Sequence, residues 1–239
     1  MKRTLALLAF LFVYLVSNAQ NFLDSLEKPK WEIGIEGGPG YADVRTFDIS
    51  TSKEYHTVSG LNNFSLGFAG QYNFNNYISV KTGINFERKG LEDDYGLPGT
   101  PNGLIKSMVY DTTKFTTLDY LVIPVIAKAE FTHNHLYFLI NGGFYVGYLL
   151  NASGTLIDYD TSGNVYNHVY NPKKEYHKLD FGCVAGVGLG IILDKHLNLE
   201  IEEDYNQGLT NIASDSNVFP QLTNWSNIFS INLRYKIPD

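Results

Sequence analysis

Phe64-Ser65-Leu66-Gly67-Phe68-Ala69-Gly70-Gln71-Tyr72-Asn73-Phe74 is the stretch that decides how this chain folds. Phe64, Leu66, Phe68, Tyr72 and Phe74 share one parity, and Ser65, Gly67, Ala69, Gln71 and Asn73 share the other. Successive side chains of a strand point to opposite faces, so a period of two marks a strand with one greasy face and one small, polar face.

The same alternation recurs on both sides of this segment, and no stretch shows the 3.6-residue period of an amphipathic helix. It predicts strands near 31–42, 64–74, 77–90, 117–131, 135–150, 178–192, 197–208 and 226–237. Each reaches the roughly 9–11 residues that a tilted membrane strand needs. Short connections, at Asn75-Asn76, Thr132-His133-Asn134 and Asp194-Lys195-His196, alternate with long ones near 43–63, 91–116, 151–177 and 209–225. Short turns on one rim and long loops on the other describe a bacterial outer-membrane barrel, the short turns being periplasmic.

Alternation alone leaves open which face points outward, because a soluble lipocalin-like barrel would line an inner cavity with its apolar face. Residue size decides. In the strand over 178–192 the polar parity holds Asp180, Gly182, Val184, Gly186, Gly188 and Gly190, while Phe181, Cys183, Ala185, Val187, Leu189 and Ile191 hold the other. Glycines at that density suit a crowded interior, whereas the outside of a soluble barrel favours long charged side chains. The polar parity also gathers the charges within strands: Glu32, Glu36, Lys81, Glu87, Lys128, Glu130, Glu200, Glu202, Asp204, Arg234 and Lys236. A basic residue facing lipid at mid-depth costs about 2–4 kcal/mol. Inside, acids can meet bases across the lumen, so Glu36, Lys81, Glu87, Lys128, Glu130, Glu200, Glu202, Asp204, Arg234 and Lys236 are read as a lumen charge network. Arg88 and Glu203 break the parity and are placed near a rim.

The N-terminus supports export. Lys2 and Arg3 precede an apolar run from Leu5 to Val16, then Ser17-Asn18-Ala19 before Gln20. This is the pattern of a signal peptide cleaved after Ala19, and its apolar run is shorter than the roughly 20 residues of a membrane-spanning helix. The chain thus divides into a signal peptide, 1–19, and one barrel domain, 20–239. Cys183, the one cysteine, cannot form an internal disulfide, so a core or closed strand pairing has to hold the exported domain together. Charged residues are 18% of the chain against roughly 25% in soluble domains, while aromatics reach 14%. That balance suits aromatic girdles, for which Tyr41, Phe74, Tyr77, Phe131, Tyr148 and Trp225 lie near strand ends. The net charge of −7 and the lack of a basic patch exclude nucleic acid as an expected partner.

Several segments carry a family resemblance. Tyr120-Leu121-Val122-Ile123-Pro124-Val125-Ile126-Ala127-Lys128 is similar to the "YLEIPLLLK" strand of the PorT-like outer-membrane β-barrel family of Bacteroidetes, with Val122 in place of the usual acid. Asn141–Leu150, Asp180–Gly190 and Tyr205–Ile212 extend the likeness over most of the exported chain. The resemblance implies an eight-stranded barrel, and the name-giving member serves protein export by the type IX secretion system. The chain departs from the usual terminal aromatic by ending on Tyr235-Lys236-Ile237-Pro238-Asp239.

Other candidate features weigh toward plain structure. Pro124, mid-strand in a barrel without edges, predicts a local bulge. Asp158-Tyr159-Asp160-Thr161-Ser162-Gly163-Asn164 begins like a calcium loop, but position twelve is Val169 where a bidentate Glu belongs, so a solvated hairpin tip is the better reading. A hydrolase acting on lipid A or peptides would need a histidine held beside a serine or paired acids at the outer rim. His56, His168 and His177 fall in or beside the outer loops with Ser52, Ser59, Asp158 and Asp160, yet no spacing singles out a nucleophile with its base. His133, His135 and His196 belong to the opposite rim. Cys183 has the lipid-facing parity and reads as a small apolar filler.

The sequence therefore describes an all-β, eight-stranded antiparallel up-and-down transmembrane β-barrel of the cell outer membrane, with a filled lumen and no catalytic, cofactor or metal site. Its expected role is structural or binding, accessory to secretion on the PorT-like resemblance. The expected partners are outer-membrane lipid or lipopolysaccharide and envelope or secretion-system proteins. The alternatives are a soluble periplasmic lipocalin-like barrel that binds an apolar ligand, and an outer-membrane hydrolase.

Overall fold

A computed structural model describes residues 29–46, 56–96, 109–160, 164–214 and 222–238. Residues 1–28, with the expected signal peptide, lie outside this set. Nine strands follow in chain order: β1 (Trp31–Thr46), β2 (His56–Asn73), β3 (Ile78–Gly96), β4 (Val109–His133), β5 (Leu136–Asp160), β6 (Val165–Tyr170), β7 (Leu179–Ile192), β8 (Leu197–Gly208) and β9 (Leu222–Ile237). Eight of them close into an antiparallel ring, β1 pairing with both β2 and β9. β6 stands outside the ring, as a short strand on the upper part of β5.

Ladder partners fix the barrel's geometry. The row from Ile33 through Gly70, Thr82, Val125, Phe144, Cys183, Gln207 and Trp225 returns to β1 at Asp43, ten residues higher. With strands about 4.8 Å apart and a rise of about 3.3 Å per residue, that stagger tilts the strands by about 40°. A ring of this size encloses room for side chains and no open channel.

All eight predicted strands are ring strands, but several run further. β2 starts at His56, β4 at Val109 and β5 ends at Asp160, so segments read as loops continue the barrel wall upward. β6 was read as loop as well. Two bulges absorb the change from wall to extension, one between Gly60 and Phe64 on β2, and one at Leu150 on β5 opposite Asp119 and Tyr120. The bulge expected at Pro124 is absent. The β3–β4 ladder is interrupted there, yet it resumes in the same register, with Thr82 opposite Val125 and Asn85 opposite Val122. The Thr82 hydroxyl donates to the Pro124 carbonyl at 2.7 Å, so a side chain stands in for a ladder bond and no extra residue is needed.

The short turns are made by the residues that the sequence offers. Asn75 Oδ1 accepts from the backbone N–H of Tyr77 and of Ile78, both at 2.8 Å. Asn134 takes the left-handed conformation, φ 56°, that Asn tolerates in tight turns. Asp194 Oδ1 accepts from the His196 and Leu197 N–H groups at 2.6 and 2.8 Å, and the first of these bonds leads in holding its carboxyl below the ordinary value. A group lowered on folding stabilises above its unfolded pKa and loses that effect as pH falls through the folded one. Asp194→Asn should therefore lower the barrel's stability near neutrality and bring it level with the wild type at the acid end, where the carboxyl is protonated, as read by urea unfolding at several pH values.

The apolar parity faces outward. Leu66, Phe68, Phe144, Leu189 and Ile231 are all exposed, Phe68 by 72%, while Lys81, Lys128, Glu200 and Glu202 of the other parity are buried. Such an outer surface is a poor match to water and a good one to acyl chains, which removes the soluble ligand-binding barrel from consideration. Aromatic clusters mark both edges of the band. Trp31, Tyr72 and Phe74 pack edge to face below, and Trp225 lies between Tyr41 and Tyr205 above. Cys183, partly exposed, sits within the band opposite Phe144. In lipid vesicles a membrane-soluble maleimide should label it and a charged, impermeant one should not; equal labelling by both would place the thiol in water.

Candidate functional site

Every ring strand contributes polar side chains to the interior, and their hub is Glu202. Lys128 Nζ lies 3.0 Å from both Glu202 and Glu200. Lys81 Nζ reaches Glu202 at 3.4 Å and Glu36 at 3.1 Å. The Arg234 guanidinium is bound to Glu200 through Nε, reaches Glu202 at 3.4 Å and donates to Gln71 Oε1 at 2.8 Å. Asn141 and Asn232 add amide N–H donors to Glu202 at 3.1 and 2.7 Å.

Carboxylates outnumber cations here, and amides supply the missing donors. Asn73 donates to Glu32, Gln71 to Glu130, Asn85 to Glu36 and Asn141 to Asp204, at 2.8–3.0 Å. A buried carboxylate is tolerable only when its lone pairs are met, so this complement of Asn and Gln is part of the fold's stability. A second polar tier lies above. Lys89 Nζ meets Asp180 at 3.3 Å and sits over the Tyr145 ring, 4.6 Å from its centre. Asn224 donates to Asp180 at 3.0 Å, and Ser226 to Glu87 at 2.7 Å.

The glycines of β7 make these contacts possible. Tyr137, Gly190 and Glu200 stand in one row across β5, β7 and β8. The tyrosine ring lies flat over the glycine, and its hydroxyl donates to Glu200 at 2.8 Å. A Cβ on Gly190 would come within 2.0 Å of the ring. Two inward-facing rows up, Asn141 reaches Asp204 across Gly186 in the same way. Side chains of β5 thus pass over a bare β7 to reach acids on β8.

Above the polar tiers the mouth is closed by apolar side chains. Leu91, Leu118, Leu149 and Leu222 point in from the wall, and Tyr176, Ile212 and Ala213 come from the segments that follow β6 and β8. Those segments are tied together by the Tyr176–Ala213 bridge, the His177 N–H to the Ile212 carbonyl and the Ser214 hydroxyl to the Lys174 carbonyl. Lys173 Nζ donates to the carbonyl of Leu150, at the β5 bulge. Between hub and cap a cavity of about 40 Å³ remains, lined among others by Glu36, Lys81, Asn85, Glu87 and Asp204. At about 15 Å³ each, two or three waters would fill it.

Of the ten network residues read from sequence, Glu36, Lys81, Lys128, Glu200, Glu202 and Arg234 form the hub. Glu130 and Asp204 are held at its edge by Gln71 and Asn141, and Glu87 belongs to the upper tier, 3.9 Å from Lys89. Lys236 lies half-buried at the strand end, opposite Glu32 in the ladder. Sequence reasoning puts Asp180, Gln71 and Asn73 on the inner face without assigning them to the network, and misses Lys89, Tyr137, Tyr145 and the other amides. Parity could have found them, since Lys89 follows Glu87 by two and Tyr137 and Tyr145 share the parity of Asn141.

Arg88 is near the upper rim as expected, where Asp119 binds it at 2.7 and 3.2 Å. Glu203 is not at a rim: it faces outward at the middle of β8, beside Val187 and Phe229. His168 Nε2 lies 3.9 Å from Asp158, but the hydroxyl on that carboxylate belongs to Thr112, at 2.7 Å. Ser59 lies opposite Glu92 in the ladder and the backbone N–H of His177 donates to the Ile212 carbonyl; Ser52 and the side chains of His56 and Asp160 lie outside the described residues. Asp158 is a strand residue, opposite Thr112 and Tyr166 in the ladders, and residues 161–163 of that stretch lie outside the described residues. Among the described residues no cluster of His, Cys, Asp and Glu could hold a metal ion.

A ring of eight strands with lipid-compatible walls and an ionic core defines a small outer-membrane barrel. Residues 18–214 match the profile of the family described as "Outer membrane protein beta-barrel domain", and the chain belongs to that family. Its place is the cell outer membrane. No curated protein sequence matches it significantly. Among solved structures it is similar to Neisserial surface protein A, at 11% identity over 87% of this chain and 97% of that one, TM-score 0.44. It is also similar to OprG of Pseudomonas aeruginosa, at 12% identity over 88% and 98%, TM-score 0.42. The Escherichia coli outer membrane protein W matches at 16% identity over 88% and 99%, TM-score 0.35.

Proposed function

We propose that the protein is a closed, rigid mount in the outer membrane, whose role is structural and binding and not transport. The observation that carries this reading is the interior, which among the described residues is filled by ionic side chains below and capped by apolar side chains above, with a cavity of about 40 Å³ between them. Binding falls to what projects from the upper rim. There β4, β5 and β6 extend as a three-stranded flap on which Val165, Tyr166 and Val169 are exposed, Val169 by 80%. The natural partners of such a flap are envelope proteins, while lipid and lipopolysaccharide surround the wall.

In the finer reading the chain is a PorT-like accessory of protein secretion, delivered by the signal peptide 1–19; the likeness of Tyr120–Lys128 and its companion segments supports it. The lumen network then serves as the rigid support of the mount. Two measurements test these readings. Vesicles carrying the protein should exclude small sugars as empty vesicles do, and sugar-driven swelling would overturn the closed mount. Cells lacking the protein should retain secreted substrates in the periplasm; unchanged secretion removes the accessory role and leaves the mount.

A further inference from the structure

The outer wall of β7–β9 holds a group that acyl chains do not satisfy. Glu203 stands six residues above Leu197, where β8 begins, and five below Gly208, where it ends. On the outer face its neighbours are Val187, Phe229 and Ile201, all exposed. One hydrogen bond reaches its carboxylate, from Asn227 Nδ2 to Oε1 at 3.0 Å. Beside the pair lies a groove of about 470 Å³ lined by Ile140, Ala185, Val187, Glu203, Tyr205 and Asn227. It opens where Ala185 and its ladder partner Gly142 are small, while the flanking rows carry Phe144 with Cys183 and Ile140 with Val187.

Ionisable groups inside the membrane band are costly and as a rule meet a partner of opposite charge. This wall has no such partner of its own among the described residues. Arg45 is engaged by the Tyr205 hydroxyl at 2.9 Å and the Trp225 ring, and Arg88 by Asp119, both toward the upper edge of the band. A second copy meeting this one wall to wall would bring another carboxylate and no cation, and the outer-face arginines Arg45 and Arg88 are already engaged. Charge complementarity therefore selects a different occupant. We propose that the groove beside Glu203 is an intramembrane interface for another integral outer-membrane protein, which sets a Lys or Arg side chain against this carboxylate. The inference is independent of what the loops bind.

The test uses the full chain in native outer membranes with a photo-reactive benzophenone side chain at position 187, on the groove's border. The expected product joins position 187 to a membrane-spanning segment of a different protein, next to a Lys or Arg. Its yield should fall roughly tenfold or more with Glu203→Gln, as expected when one partner of a desolvated charge pair is removed, and should persist with Glu203→Asp. Because Glu203 lies outside the lumen network, heat-modifiable gel migration should show both variants folded. A product with lipid or with a second copy, no protein product at all, or a yield indifferent to Glu203→Gln would overturn the proposal.

Discussion

Glu202→Gln should lower the unfolding free energy of the barrel by about 3–5 kcal/mol, the range for breaking a buried ion pair by removing one partner. Glu202 receives Lys81, Lys128, Arg234, Asn141 and Asn232. The substitution keeps the side chain's volume while one acceptor oxygen becomes a donor turned toward cations and amides. Lys81 retains Glu36, and Lys128 and Arg234 retain Glu200, so the ring should still close at reduced stability. Urea titration in lipid vesicles reads the loss, with Trp31 and Trp225 as probes at opposite rims. Adding Lys128→Met should cost much less on the Glu202→Gln background than on the wild type, since it removes a cation already short of a partner. Strict additivity of the two changes would show that the contacts are geometrically present but energetically idle.

Gly190→Ala is the second large effect. The new methyl would lie 2.0 Å from the Tyr137 ring, and the ring is tied through its hydroxyl to Glu200. Overpacking typically costs about 1–3 kcal/mol, and a hydrogen bond to a charged group contributes about 1.5–3 kcal/mol. Moving the ring surrenders the second to relieve the first, so a loss of about 3 kcal/mol is expected in the same urea assay. Tyr137→Phe should cost about 1.5–3 kcal/mol alone and little more once Gly190→Ala is present. A Gly190→Ala variant as stable as the wild type would mean that the ring does not need the bare backbone.

The contrast between these two sites shows what a single sequence discloses. Which face each strand turns inward was legible, because lipid and a narrow lumen impose opposite demands on size and charge at every second residue. The hub acids and bases followed from that parity. Their pairing did not, since it depends on the ten-residue stagger that brings Lys81 of β3 and Lys128 of β4 level with Glu202 of β8. β6 was hidden for a related reason: a six-residue strand exposed along nearly its whole length leaves no burial pattern to detect. Glu203 was placed at a rim because lipid disfavours charge, a sound rule for an isolated barrel and one that fails where a protein partner replaces the lipid.

The division of the hub among strands also bears on assembly. Lys81 and Lys128 belong to the first four ring strands, whereas Glu200, Glu202 and Arg234 arrive with the last two. A half-inserted sheet would hold Lys128 without either of its carboxylate partners and Lys81 with Glu36 alone. The C-terminal hairpin is thus the keystone, and insertion is driven towards completion because Lys128 meets its acids only when the last two ring strands fold in and the seam between the first and last strands zips shut.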